Sequence, residues 1–421
     1  MSGFETERPA AWLIWLVQSP LVRDIVGMLG ALTWVGVFGA FAIWLERKVS
    51  AHMQSRLGLM RTGGWHGWAQ SPADGLKLIF KEDLVPDKAD GPLFRIAPYL
   101  TFVPALLAYF ALPFGLYWVF RNLDIALLFI LAMLGLEVIG VLVAGWSSNN
   151  KWSTYGSMRE ACQVVSYEIP LGMSLLVPIM VVGSLRLAGQ GSITDYQAGG
   201  WFNWLAWHSP WTFLAMGTYF IASLASCKRA PFDLPEAESE LVAGFLTEYS
   251  GFRWAMFFFA EYAAMFVVGG VLALLFFGGW DAPWVGLAPP GWAESSHWGI
   301  QLLYGVIFSG PLWFIGKGLF FVYVHMWLRW TLPRLRIDQV LYSCIQVMVP
   351  LVMVALLASV FWELWAADSA GFRTFATVIR YILAAIGLVG VAAVLAITYV
   401  GIRRGVALVG TQAVRRPLPG G

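Results

Sequence analysis

The chain has 421 residues, 59% hydrophobic and only 12% charged, with a mean hydropathy of +0.68. That composition excludes a soluble globular domain and predicts an all-α, polytopic membrane bundle, because the apolar runs are continuous and lack the two-residue alternation of a membrane strand. A formal net charge of +2 gives no bulk attraction to nucleic acid. Cys162, Cys227 and Cys344 are far apart, form no Cys-x-x-Cys, and so exclude iron–sulfur ligation or structural zinc on this chain. The five histidines are scattered, which leaves no pair of axial haem ligands.

Residues 1–24 carry Glu5 and Glu7 and lack the basic start of a cleavable signal peptide. Ala11 to Val17, with Trp12 and Trp15, is too short to span and reads as interfacial. About nine spanning helices follow, predicted over 25–45, 97–119, 124–146, 161–185, 210–226, 254–279, 300–328, 340–366 and 375–402. Residues 25–366 form an eight-helix core, and 367–421 an additional helix and tail. The fifth span is short, and Pro104, Pro113, Pro170 and Pro178 predict kinks. No internal repeat is visible.

Lysine and arginine set the orientation. The 46–96 connection, the other loops on its side and the tail hold 20 of them, from Arg47 to Arg416; the opposite side has Arg8, Arg23, Arg121, Arg186 and Arg373. The first side is therefore expected to be cytoplasmic, with the N-terminus outside and the C-terminus in the cytoplasm. Two cytoplasmic connections are too rich for plain linkers. Residues 46–96 alternate bulky and charged side chains, including Trp65, Trp68, Leu76, Ile79 and Phe80, that could lie flat on the membrane. Residues 227–253 contain Arg229-Ala-Pro-Phe-Asp-Leu-Pro-Glu-Ala-Glu-Ser-Glu-Leu241, placing Asp233, Glu236, Glu238 and Glu240 beside the bilayer. A helix starting at Pro235 would put Glu236 and Glu240 on one face. Like charges held that close suit groups that take up and release protons. A solvated loop is the plainer alternative. The outer loops 186–209 and 280–298 are rich in Gly and Trp and read as interfacial caps, and the many tryptophans as lipid-facing belt residues.

Glu137, Glu168, Glu261 and Lys317 lie inside predicted helices. Each charge at mid-membrane costs from about 3 to over 10 kcal/mol unless paired, neutralised or wet. At about 1.5 Å rise per residue their depths from the cytoplasmic edge are about 10 Å for Glu168, 12 Å for Glu261, 14 Å for Glu137 and 16 Å for Lys317. One layer is expected, with Lys317 countering whichever acid it meets. A proton or ion path explains that layer better than isolated structural pairs. Asp124, Glu363 and Arg380 lie near helix ends and receive no role.

The residues also resemble a known family. Glu46-Arg-Lys, Met53-Gln-Ser-Arg56 and Ala73-Asp-Gly-Leu-Lys-Leu-Ile-Phe-Lys-Glu-Asp-Leu-Val-Pro86 are similar to the first cytoplasmic loop of the quinone-channel membrane subunit of respiratory complex I, its H subunit. Gly145-Trp-Ser-Ser-Asn-Asn-Lys151, Gln163-Val-Val-Ser-Tyr-Glu168, Arg229 to Leu241, Thr247-Glu-Tyr-Ser-Gly251, Ala260-Glu-Tyr262, Trp330-Thr-Leu-Pro-Arg334 and Asp338-Gln339 extend the resemblance over about 25–345. It implies a membrane subunit of a proton-translocating NADH:quinone oxidoreductase, at the junction of the peripheral arm and the membrane arm. Such a subunit forms the quinone access channel and begins the carboxylate path that couples quinone reduction to proton translocation. By that resemblance Asp74, Glu137, Glu168, Glu236, Glu238, Glu240, Glu248 and Glu261 are members of the path. Arg47, Arg56, Arg61, Phe232 and Asp233 border the quinone channel. Flavin and iron–sulfur clusters belong to partner subunits, quinone is the substrate, and the location is the cell inner membrane.

Two departures matter. Gly58-Leu-Met-Arg61-Thr-Gly-Gly64 replaces the family's usual Gly-Pro-Asn-Arg-Val-Gly-Pro, which predicts a less rigid loop. Ser226-Cys-Lys-Arg229 replaces Glu-Thr-Asn-Arg, removing a path carboxylate and adding the positive Lys228. Cys227 reads as a small buried residue. The equivalent subunit of a related membrane hydrogenase or deazaflavin-dependent dehydrogenase is an alternative, and an ion transporter a weaker one, given the odd helix count and large loops.

Overall fold

The structure is a computed structural model that describes residues 20–115, 118–235, 238–284 and 310–414. The expected interfacial segment, Glu236, most of the 280–298 loop, the start of the seventh span and the tail arginines Arg415 and Arg416 lie outside the described residues. Among the described residues there is no strand. Ten helices are labelled here: α1 (Pro20–Met53), α2 (Gln70–Ile79), α3 (Gly91–Ala111), α4 (Ala126–Ser147), α5 (Lys151–Val182), α6 (Pro210–Ser226), α7 (Gly251–Phe276), α8 (Gly310–Thr331), α9 (Ile337–Asp368) and α10 (Ala370–Val414). Eight of these are long and apolar enough to cross a membrane, and α6, at 17 residues, falls just short in length.

Local chemistry accounts for the boundaries. Asp90 caps α3 by accepting from Leu93 N–H, and Asn150 caps α5 by accepting from Trp152 N–H at 2.9 Å. Ser209 and Thr212 form a reciprocal capping box at the start of α6, with Pro210 behind it. Gly183, left-handed at φ 74, ends α5. Pro104, Pro170 and Pro178 fall inside helices, but Pro113 lies beyond the end of α3, which stops at Ala111 instead of near 119. The Asn150 cap also starts α5 ten residues earlier than periodicity placed it. α5 is about 48 Å long against a hydrocarbon layer of about 30 Å, so its first turns project among the loops.

The bundle is organised around α7, where 89% of the most apolar stretch is buried. α3, α8, α1 and α6 surround it. Phe266 sits at the hub of an aromatic cluster, with ring centroids 5.4 Å from Trp34, 4.9 Å from Phe38, and 6.0 Å from both Phe114 and Phe314. Small residues set the helix spacing: a Cβ on Gly318 would stand 2.9 Å from the Phe266 ring. α10 packs its inner face through Ala384, Trp201 Nε1 donates to the Ala384 carbonyl at 3.1 Å, and most of the helix is exposed.

Three expectations are corrected here. First, Lys317 does not counter the acid layer. Its ammonium donates to the carbonyls of Phe277 at 2.6 Å, Gly279 at 2.9 Å and Asp281 at 2.7 Å, and lies 4.4 Å from the Trp204 ring. These carbonyls follow the C-terminus of α7, 16 residues and about 24 Å along the chain from Glu261, so Lys317 closes the opposite end of the bundle. Second, Trp204 and Trp207 are core residues, each 2% exposed, tilted against Trp201 and edge-on to Phe277. Third, Glu363 and Arg380 are joined: His208 Nε2 lies 2.8 Å from Glu363, and Arg380 donates to His208 Nδ1. This ties α10 to α9. Lys317→Met would strand three carbonyls, and we expect about 3 kcal/mol less stability, read as a lower thermal midpoint of the detergent-purified complex. An unchanged midpoint would show that water replaces the ammonium there.

Candidate functional site

α1 continues two turns past its predicted end, so Glu46 is a helical residue buried in the bundle (6% exposed) instead of a loop residue. The connection after α6 folds inward and carries Arg229 with it, 1% exposed. Arg229 Nη1 donates to both Glu46 oxygens at 3.1 Å, and Nη2 lies 3.0 Å from Glu261 Oε1 on α7. Tyr262 donates to Glu46 Oε2 at 2.6 Å and offers its ring to the Arg229 guanidinium at 4.8 Å. Arg329, at the end of α8, donates to Glu46 Oε1 at 2.6 Å. Burial opposes the charge on Arg229, but Glu261 and Glu46 outweigh it and hold the guanidinium well above its ordinary pKa. Four elements thus meet at one cluster of two arginines and two carboxylates.

A second cluster adjoins the first through the chain. Lys228 Nζ lies 3.6 Å from Glu137 on α4 and 3.5 Å from Glu160 on α5, all three side chains being nearly inaccessible. Cys227, also buried, has its thiol pushed up to about 12 by burial, so it is a neutral packing residue.

Beside the first cluster opens a cleft of about 490 Å³, within the range of small-molecule sites. Ile43, Phe258, Phe259 and Trp254 supply apolar wall, while Glu46, Arg47, Asp74, Tyr262 and Arg329 supply the polar groups. α2 closes one side, and Gly75 on it faces open space. The outer face of this connection exposes Trp68, Leu76, Ile79 and Phe80 together, as the alternation of bulky and charged residues predicts.

The structure distributes the sequence candidates unevenly. Asp74 lines the cleft and accepts from Arg47 at 2.5 Å and Gln70 at 2.8 Å. Glu137 and Glu261 occupy the two buried clusters. Glu168 does not join them: α5 turns it to the exposed surface, its carboxylate against Gly135 of α4. The reason is the helical period, since Glu160 and Gln163 face inward and Glu168 lies off that stripe. Glu240 is exposed and paired with Arg159 at 2.5 Å, and Glu248 accepts from Asn150 at 2.5 Å. Glu238 belongs to the helical turn Glu238–Leu241, and its side chain, like the whole of Glu236, lies outside what is described. Arg56 is exposed and shares a second cavity with Arg47, whereas Arg61 is exposed and lines neither cavity. Phe232 is buried in the core and Asp233 pairs with Arg334 at 3.3 Å; neither lines the cleft. Glu160 is missing from the sequence candidates because the span predicted over 161–185 begins one residue after it, whereas the helix itself starts at Lys151.

The family model described as NADH dehydrogenase matches residues 26–360. The chain belongs to the family of NADH-quinone oxidoreductase H subunits. It is 45% identical to the NADH-quinone oxidoreductase H subunit of Chlorobium luteolum over 371 residues, covering 87% of this chain and 93% of that one. Like-named relatives are 42% identical in Anaeromyxobacter dehalogenans, over 85% of this chain and 84% of that one, and 41% in Geobacillus thermodenitrificans, over 81% and 95%. The buried clusters and the cleft lie within the part that matches the family; α10 lies beyond it. Membership makes the chain a multi-pass membrane subunit of an enzyme complex whose other subunits are its partners.

Replacing Arg229 by Met would leave Glu46 and Glu261 buried without their shared cation. We expect a loss of about 3–5 kcal/mol, seen as a marked fall in assembled complex in membranes; normal assembly would mean the two acids are neutral in the native state.

Proposed function

We propose that this chain forms the quinone access channel of a complex I-type NADH:quinone oxidoreductase and begins the carboxylate path linking quinone reduction to proton translocation. The observation that carries this reading is the sharing of Glu46 and Tyr262 between the cleft and the buried Arg229–Glu261 pair. Reduction of a quinone to a quinol adds electrons and protons to the ring oxygens, so charge in the cleft changes as the reaction proceeds. A guanidinium with two buried carboxylates next to that cleft feels the change at low dielectric, where it is strong. Lys228 precedes Arg229 directly in the chain and passes the influence to Glu137 and Glu160.

In this reading Asp74, Glu248, Glu240, Glu238 and Glu236 bring protons from the loop side, and Glu137 and Glu261 hold them inside. Glu168, exposed on the outer face at the level of Gly135, hands them to a neighbouring membrane subunit. Arg47 and Arg56 guide the quinone past α2, with Arg61, Phe232 and Asp233 in the surrounding loops. Electrons come from partner subunits that carry flavin and iron–sulfur clusters. The complex sits in the cell inner membrane, with the loops bearing most of the lysine and arginine in the cytoplasm.

Two measurements test the two halves. Glu137→Gln and Glu261→Gln should each lower coupled quinone reductase turnover about tenfold or more at normal assembly; wild-type turnover and proton yield in both would remove the path. Gly75→Phe fills the cleft from a position with open space, and should raise KM for a long-tailed quinone about fivefold or more, with little change in kcat for a short-tailed analogue. Equal KM values for both would move the channel elsewhere.

A further inference from the structure

We propose that Lys228 is a mobile counter-ion shared by Glu137 and Glu160, and that Glu160 is an additional proton-carrying group of the path. The inference deepens the reading above and rests on it. Three observations point to it. Lys228 Nζ is nearly equidistant from the two carboxylates, at 3.6 and 3.5 Å. Glu160 is fully inaccessible, and among the described residues neither of its oxygens meets a partner apart from that ammonium. Lys228 itself has φ 51, a left-handed conformation uncommon for a lysine, at the turn from which its side chain reaches Glu137 on α4 and Glu160 on α5.

A buried carboxylate without donors is costly, so one ammonium between two acids favours a state in which only one acid is ionised. With the ammonium closed on Glu137, Glu160 holds the proton; with it closed on Glu160, Glu137 does. In both states the trio is electrically neutral: one ammonium, one carboxylate, one carboxylic acid. Moving the ammonium by a fraction of its reach therefore reverses which acid is favoured to hold the proton: one carboxyl O–H breaks and the other acid's O–H forms, with no net change in buried charge. No bond other than O–H is made or broken. Glu261 acts electrostatically on Glu137 and Lys228, and Asp233 on Glu160, while Arg229 adjoins Lys228 in the chain. The state of the first cluster accordingly biases which acid the ammonium chooses.

The test compares Lys228→Arg, Glu160→Gln and Glu137→Gln in the intact complex in membranes, measuring assembly, protons moved per electron, and the pH profile of that ratio. Arginine keeps the charge but its planar fork can engage both acids at once and stop the exchange. We expect Lys228→Arg to assemble and to lose about half or more of the proton yield, with a displaced pH profile. A purely structural salt bridge would be preserved by arginine, so wild-type yield and profile in that variant would overturn the proposal. Should it fail to assemble, Glu160→Gln decides: a reduced yield supports the proposal and a wild-type yield overturns it. If Glu137→Gln and Glu261→Gln also pump normally, the path reading falls with it; if Glu137→Gln is impaired while Lys228→Arg and Glu160→Gln are not, the shuttle alone falls.

Discussion

The structure depends on one buried ionic contact, the Arg229 guanidinium between Glu46 and Glu261. Charges of this kind are tolerated in a membrane bundle only when each meets an opposite partner, and here the partners come from α1, α7 and the connection after α6. The contact thus fixes where that connection must lie. With Arg229 pinned, Lys228 is carried to Glu137 and Glu160, and Phe232 and Leu234 are drawn into the core. Arg329 brings the end of α8 to the same carboxylate. The polar interior is therefore also the scaffold around which the helices converge.

α7 makes this arrangement possible. Between Ala260 and Phe276 every residue is buried, so the helix has no lipid-facing side along that stretch. Its apolar surface is enclosed by neighbouring helices, and its one acid, Glu261, has only protein to pair with. The two ends are treated differently. Near one end Glu261 and Tyr262 enter the ionic cluster, while beyond the other the ammonium of Lys317 takes up carbonyls that the helix leaves open. The first arrangement borders a cleft. The second is surrounded by Trp204 and backbone, and has the character of a fastening.

Several features were legible before the structure. The helical class, the short span over 210–226 and the richness of the two loop regions follow from hydropathy and motif, since lipid permits few alternatives. The resemblance to the complex I membrane subunit agrees with the match over 26–360. Boundaries were less legible where a polar cap competes with apolar periodicity: Asn150 starts α5 at Lys151, which brings Glu160 inside the helix, on its inward stripe, while Glu168 lies off it. Lys317 was misplaced for a related reason, because depth along a helix says nothing about which neighbouring helix end it will meet.

The sequence by itself determined that a membrane bundle forms, that acids lie within it, and which family it belongs to, because these follow from the transfer free energies of single residues and from ordered local motifs. Only the tertiary structure decided which charge meets which. Glu46 joins Arg229 and Arg329, Lys228 joins Glu137 and Glu160, and Glu168 faces outward. Coulomb energy at low dielectric depends on separations of a few ångströms between residues distant in the chain, and helix rotation and packing set those separations.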